Sequence, residues 1–163
     1  MATPTYDLLA STTLGTAASS VTFSSISQSY GDLIVIVNAL GSTTLEARIR
    51  LNSDSGSNYN SVRMSGDGSS YTSAALASQT SGSLSVIADA TTGVAILLKV
   101  EIQDYAATDK HTSILARANQ SATGTEATAL RWASTDPVTA IEILTSTGNW
   151  ASGGTFNLYG VAK

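Results

Sequence analysis

The side chains of this chain that could carry acid–base or nucleophilic chemistry are few and scattered. His111 is the only histidine, so no histidine pair can hold a metal, and a Ser-His-Asp triad would need this residue. The chain has no Gly-x-Ser-x-Gly segment of the kind that carries a hydrolase nucleophile. Lys110 and Thr112 beside His111 indicate the start of an exposed strand. We therefore expect a surface or loop histidine, no catalytic residues and no enzyme activity.

The acidic residues suggest one cation site and argue against a carboxylate pair. Asp54 to Asn58 places oxygen ligands at alternate positions around Gly56, as at the start of a calcium loop, but no bidentate Glu closes it. We expect a structural turn without a metal, with a cation site as the alternative. A glycosidase needs two carboxyl groups that face each other across a cleft. We expect five other acidic side chains to be solvated, on outward strand faces or in a loop: Glu46, Glu101, Glu142, Asp104 and Asp109.

No phosphate-binding loop accompanies the glycines. Gly66-Asp67-Gly68 and Gly153-Gly154 lack a Gly-Lys-Ser/Thr sequence and a following helix, so they indicate turns. We expect no cofactor.

The aromatic residues are the remaining candidates for a binding surface. Trp132 and Trp150, with Tyr59, Tyr71 and Tyr105, could stack on a sugar or dock a partner. Trp132 falls in a strand pattern, which favours the core. Trp150 lies in a Gly- and Ser-containing segment and is a better candidate for an exposed anchor than Trp132, but packing is favoured for it as well.

Composition excludes several partners. The net charge of −4 gives no long-range attraction for nucleic acid or an anionic membrane. No run approaches the roughly 18 apolar residues of a membrane span, and the N-terminus has no basic region before an apolar run, so we expect no ordinary signal peptide. The chain has no cysteine, which excludes disulfides and thiolate metal sites. Only 12% of the residues are charged, so Ser and Thr supply most of the polar surface.

The elements that must position these residues are strands. Val94, Ile96, Leu98, Val100 and Ile102 share one face of a segment whose other face passes from apolar to charged residues. This pattern predicts a central strand covered on both faces in its first half. Leu33 to Val37 predicts a second central strand, and Leu45 to Leu51 shows the clearest alternation. A sheet with one wet face needs a second sheet against its dry face.

The whole chain reads as roughly ten to twelve short strands separated by turn residues, with no helical periodicity. Ser69 to Thr80 is ambiguous between an irregular strand and a helical turn, and strand with loop is favoured. We predict an all-β fold, a two-sheet antiparallel β-sandwich of jelly-roll type. Residues 1–163 form one domain in this interpretation, with residues 1–6 as a short N-terminal arm that has no partner in the predicted sheets.

Several of these strand and turn segments resemble, in the same order along the chain, small virion proteins of tailed bacteriophages. The resemblance covers nearly the whole chain and is carried by the following segments: Ser20–Ile26, Tyr30–Leu33, Arg48–Tyr59, Ile102–Tyr105, Lys110–Thr112 and Phe156–Val161.

The resemblance implies a jelly-roll-like module that decorates or cements a capsid, often as a trimer, or that sits in a tail or fibre. It brings no catalytic residues. The short length favours a decoration protein on the capsid surface, bound to the major capsid protein, without nucleic acid or membrane. A tail-tip or fibre module that binds host glycan is the alternative. Pro4, Tyr6 and Trp150 are the candidate interface residues, and a frayed terminus is the other interpretation of the arm.

Overall fold

The computed structural model describes residues 4–88 and 93–163, which form twelve β-strands and no helix. Asp89 to Thr92, between two of the predicted strands, lie outside the described residues. The strands are β1 Tyr6–Thr13, β2 Ser20–Phe23, β3 Asp32–Ala39, β4 Leu45–Leu51, β5 Tyr59–Gly66, β6 Tyr71–Gln79, β7 Gly82–Ala88, β8 Ile96–Gln103, β9 Thr112–Gln120, β10 Gly124–Trp132, β11 Ile141–Thr145 and β12 Thr155–Val161.

The strands form two antiparallel sheets that pack face to face, so the predicted all-β sandwich of jelly-roll type is confirmed. The large sheet has eight strands in the order β1-β12-β3-β8-β9-β10-β5-β6. The small sheet has four strands in the order β2-β11-β4-β7. The small sheet covers part of the inner face of the large one, and β7 contacts β9 and β10. Residues 93–163 and 4–88 thus contribute strands to both sheets.

Alternation along the central strands builds the core between the sheets. In β4 every second residue from Leu45 to Leu51 is buried, as its sequence pattern predicts. Inward side chains of β3 and β8 face the same interior, where Val35 lies opposite Val100. The largest fully buried side chains are Trp132, Trp150, Tyr59, Tyr105 and Phe156. Burial of this apolar area is the main stabilising contribution to the fold.

One part of the central-strand prediction is wrong. β8 lies in the middle of the large sheet, beside β3, but only one of its faces is covered. Leu98 is 0% exposed, whereas its neighbour Leu97 is 55% exposed. Because adjacent side chains of a strand point to opposite faces, the apolar first half of β8 contributes to the core and also to an uncovered surface.

The ambiguous segment is a strand, and part of the predicted arm belongs to the large sheet. Residues 71–79 form β6, which pairs with β5. Tyr6 begins β1 and lies opposite Val161, while the Thr5 carbonyl oxygen accepts a hydrogen bond of 3.0 Å from the Ala162 N–H. The expectation that the arm has no partner in the sheets is therefore wrong for its last two residues, because β12 extends far enough to pair with them.

Candidate functional site

The outward side chains of the large sheet form the most distinctive surface of the described residues, and we call this surface the outer face. Every large hydrophobic residue that is exposed in the described part of the chain lies on it, according to the strand registers. These residues are Tyr6, Leu8, Val62, Met64, Tyr71, Leu97 and Leu115. Single exposed hydrophobics are ordinary, but a set gathered on one face indicates an interaction surface.

The strand registers place several of these residues in rows across neighbouring strands. Leu115 of β9 lies opposite Ala129 of β10, and Ala129 lies opposite Val62 of β5. One row along, Ala127 lies opposite both Arg117 and Met64. Directly opposite side chains in a sheet are about 4.5–5.5 Å apart at Cβ. The first row is therefore a strip of apolar and small side chains across β9, β10 and β5, and the second row ends at the cation of Arg117.

Few charges interrupt the outer face. Lys99 and Glu101 form an ion pair with each other along β8. Arg117 and Arg131 are exposed and have no ion pair within residues 4–88 and 93–163. The face thus offers two unpaired cations on a chain whose net charge is −4.

The outward side of the small sheet is different, because its charges are paired. On β4, the Arg48 Nη2 lies 2.6 Å from the Glu46 Oε2. The Arg50 Nη1 lies 2.9 Å from the Oε2 of Glu142 on β11. These charged side chains are each about three-quarters covered or more, and each arginine lies within ion-pair distance of a glutamate.

The predicted turn at Asp54 is a hydrogen-bonded loop between β4 and β5. The Asp54 Oδ2 accepts hydrogen bonds from the Trp132 Nε1 at 2.6 Å and the Asn58 Nδ2 at 2.8 Å, and its Oδ1 accepts one from the Gly56 N–H at 2.8 Å. The Trp132 bond is the main cause that lowers the pKa of Asp54. Within the described residues, no three acidic or histidine side chains are grouped so that they could hold a metal.

Glu126 is a buried acid that the sequence interpretation did not single out. Its Oε2 accepts hydrogen bonds from the Ser85 hydroxyl at 3.1 Å and the Val86 N–H at 3.0 Å, and its Oε1 lies 3.2 Å from the Arg63 Nε. Burial raises the pKa of this carboxyl group. Glu126 lies two residues before Thr128, so the two side chains share the inward face of β10, and this spacing is the sequence feature that could have identified Glu126 as buried. Glu126 links β10 to β7, so its role in the described contacts is structural.

The structure separates the three predicted interface residues. Pro4 and Tyr6 are exposed at the edge of the large sheet. Trp150 is fully buried, so the favoured interpretation of packing is confirmed and Trp150 is not an exposed anchor. The backbone groups of Trp150 and Ala18 bond each other in both directions, and its ring packs edge-on against Phe156 with ring centroids 5.7 Å apart. The indole belongs to the buried core between the sheets.

The other chemical candidates are also placed. Trp132 is buried in β10, as expected, and Tyr59 and Tyr105 are buried too, so they present no ring for stacking. Tyr71 is 91% exposed. His111 lies on the surface next to β9, as its neighbours in the sequence predict.

Comparison with known proteins gives similarity of fold alone. No family model matches the chain, and no curated protein matches it significantly. A galectin from Caenorhabditis elegans is similar at 12% identity and a TM-score of 0.38, over 100% of this chain and 99% of the galectin. An exo-inulinase from Aspergillus awamori shares 14% identity over 96% of this chain, with a TM-score of 0.41, and the match spans only 29% of the inulinase.

An alginate lyase, solved in complex with alginate tetrasaccharide, is similar at 12% identity and a TM-score of 0.31, over 93% of this chain and 77% of the lyase.

Within the described ranges, no helix has the length and apolar character needed to cross a membrane.

Proposed function

We propose that this protein is a non-enzymatic structural component of a tailed-phage virion, a decoration protein that binds the outside of the capsid and stabilises it. The observation that carries the proposal is the gathering of the exposed large hydrophobics on the outer face. The strand and turn segments that resemble small virion proteins of tailed phages are the reason for proposing the virion as the assembly that contains this protein. The partner in this proposal is the major capsid protein.

The outer face has the properties of a surface that docks against another protein. A hydrophobic centre with Tyr, Met and Arg is the composition enriched in protein interfaces, and Met64, Tyr71 and Arg117 supply it here. A matching partner surface is flat and apolar, with carboxylates opposite Arg117 and Arg131. Apolar contact of this kind persists in moderate salt, because screening acts on charges and not on buried apolar area.

Repetition on a symmetric shell strengthens such contacts. Subunits joined in the proposed trimer engage several shell sites at once, so modest single interfaces combine through effective concentration. A closed cyclic trimer also has a defined symmetry that a threefold position of the shell can match.

The test is a map of the whole virion at a resolution that resolves side chains. The proposal predicts this chain in many copies on the capsid exterior, with Leu97, Leu115 and Met64 directed at the major capsid protein. Absence of the chain from the particle, or docking through the small sheet, would overturn it. Presence only at the tail tip would favour the second candidate.

The second candidate, a receptor-binding module for host glycan, is favoured by one surface hollow. Met64, Tyr71, Arg117 and Thr125 line a hollow on the outer face, next to the fully open ring of Tyr71. An exposed aromatic ring beside polar side chains suits the stacking of a sugar. A glycan array tests it: specific binding that Tyr71→Ala abolishes, with Thr22→Ala on the small sheet as a control, would support this candidate. Absence of any specific binding would contradict it.

A further inference from the structure

The strand β6 is an edge of the large sheet that lacks the usual protection. It runs for nine residues, Tyr71 to Gln79, and it contains no charged residue and no proline. Most of its side chains are exposed, on both faces of the sheet. An edge strand directs half of its backbone N–H and C=O groups away from its one neighbour, where another strand can pair with them.

The other three sheet edges of the described chain each carry a protective feature. The large sheet ends on its other side at β1, which contains Asp7 and a register shift between Leu8 and Ala10. The small sheet ends at β2, which is only four residues long, and at β7, whose residues from 82 to 85 are buried. Charges, bulges, short length and cover are the means by which proteins prevent pairing at edges. In the β5–β6 pair the register shift lies at the far end, beyond Ser61, so Tyr71 to Leu76 is regular.

We propose that β6 pairs with β6 of a second copy of this chain, antiparallel and around a two-fold axis. The partner is a second copy because the strand is self-complementary: a two-fold antiparallel pair sets one residue opposite itself, and an uncharged strand of small residues meets no repulsion there. With Ser73 on the axis, Tyr71 of each copy lies opposite Ala75 of the other. The exposed ring of Tyr71 then covers a small side chain and gains apolar contact.

The pairing has a consequence for the outer face. A two-fold axis perpendicular to the sheet keeps outward side chains on the same side, so the outer faces of the two copies join across the β6 edges. Val62 and Met64, which lie on the strand next to β6, move from the rim of one face to the centre of a doubled face. This contact is separate from the proposed threefold contact of the trimer.

The first test is the mass of the protein in solution, measured by native mass spectrometry and analytical ultracentrifugation. The two-fold contact predicts a dimer, or a hexamer if the threefold contact forms as well. A monomer or a plain trimer at the highest concentration examined would overturn the β6 pairing. A trimer would leave the proposed capsid function standing, so the two failures are distinguishable.

The second test uses charge at the edge. The variant S73K/A75K sets like charges opposite each other at position 73 and adds a charge opposite Tyr71 of the other copy, and we expect the dimer dissociation constant to rise by about a hundredfold. Both residues are exposed in the single chain, so the melting temperature of the subunit should be unchanged. The variant S73E/A75E should dissociate in the same way, and an equimolar mixture of the two variants should associate again as a heterodimer.

The matched control is S11K/T13K, which adds the same charges with the same spacing to exposed positions of the opposite edge, β1. It should keep the mass of the wild-type assembly. Unchanged association of S73K/A75K, or loss of association in the β1 control alone, would contradict the proposal.

Discussion

The outward sides of the two sheets differ in whether their charged side chains are paired and in how many apolar side chains they expose. On the small sheet, arginines and glutamates are matched within hydrogen-bond distance, as in Arg50 and Glu142. On the outer face of the large sheet, apolar side chains are exposed, and Arg117 and Arg131 have no ion pair among the described residues. The surface of the small sheet has paired charges. The outer face leaves apolar area exposed and, among the described residues, two cations without an ion pair.

This difference bears on which side of the molecule would dock under the proposed function. Charges that are already paired gain little from a partner and lose solvation on docking. An apolar surface gains free energy in proportion to the area removed from water, about 25 cal/mol per Å². The comparison therefore supports the proposal that the large sheet docks and that the small sheet faces solvent.

The largest effect on stability is expected within one strand, between Leu98 and Leu97. Leu98→Ala removes a fully buried side chain and should lower the free energy of unfolding by about 2–5 kcal/mol. Leu97→Ala removes a side chain of the outer face and should change it by about 0.5 kcal/mol or less. Denaturant unfolding of both variants measures the contrast. Similar losses from both would show that the outer face is covered within the single chain.

A smaller effect is expected at Asp54, which stabilises the loop between β4 and β5. Asp54→Ala removes an acceptor used by Trp132, Asn58 and the Gly56 N–H, and should cost about 1–3 kcal/mol. Because the pKa of Asp54 is lowered in the fold, from an ordinary value of 3.8, its contribution is present above that value. It is lost as the pH falls through the lower folded pKa. Thermal melts from pH 7 to pH 2 should show this loss in the wild type and not in Asp54→Ala.

Calcium separates the two interpretations of the same loop. Since N–H donors already occupy both carboxylate oxygens, added calcium should leave the melting temperature of the wild type unchanged. A strong calcium-dependent rise that Asp54→Ala abolishes would contradict the turn interpretation.

Glu126 should respond to pH in the opposite direction. Burial raises its pKa above the ordinary 4.5, so the folded state holds the proton more tightly than the unfolded state. Stability of the wild type relative to Glu126→Gln should therefore increase as the pH falls from neutral through the raised pKa. Urea unfolding of both proteins at several pH values measures the difference. A decrease over that range would mean that the Arg63 pair outweighs burial.

The smallest effect is expected on the small sheet. Glu142→Gln breaks the pair with Arg50 and should cost about 0–1 kcal/mol, and less at high salt. The cost can be measured by chemical unfolding at low and high ionic strength. A larger loss that salt does not reduce would make this surface more than a solvated face.

The sequence predicts the fold well in segments where apolar and polar residues alternate regularly. Leu45 to Leu51 alternates cleanly and its strand has the predicted bounds, because one of its faces packs on the core and the other meets water. The strand β6 could not be recognised with the same clarity, since an edge strand exposed on both faces needs no alternation.

The candidate site was harder to predict from the sequence, because its exposure depends on which face of the large sheet the small sheet covers. Leu97 looks buried from its neighbours in the sequence, yet the small sheet covers only the other face of β8. Trp150 looks exposed from its Gly- and Ser-rich surroundings, yet pairing with Ala18 and Gly41 directs it inward. Both outcomes follow from contacts between residues that are distant along the chain.

The central proposal, that the outer face docks on a phage capsid, is tested most directly by binding to capsid shells that lack this protein. Wild-type protein should bind in saturable, stoichiometric copies. The variant L97E/L115E should lose at least about tenfold in affinity, since charges replace apolar residues on the docking surface. The control T22E/E142Q, on the small sheet, should bind as the wild type does. Failure of the wild type to bind, or equal binding of L97E/L115E, would contradict the claim.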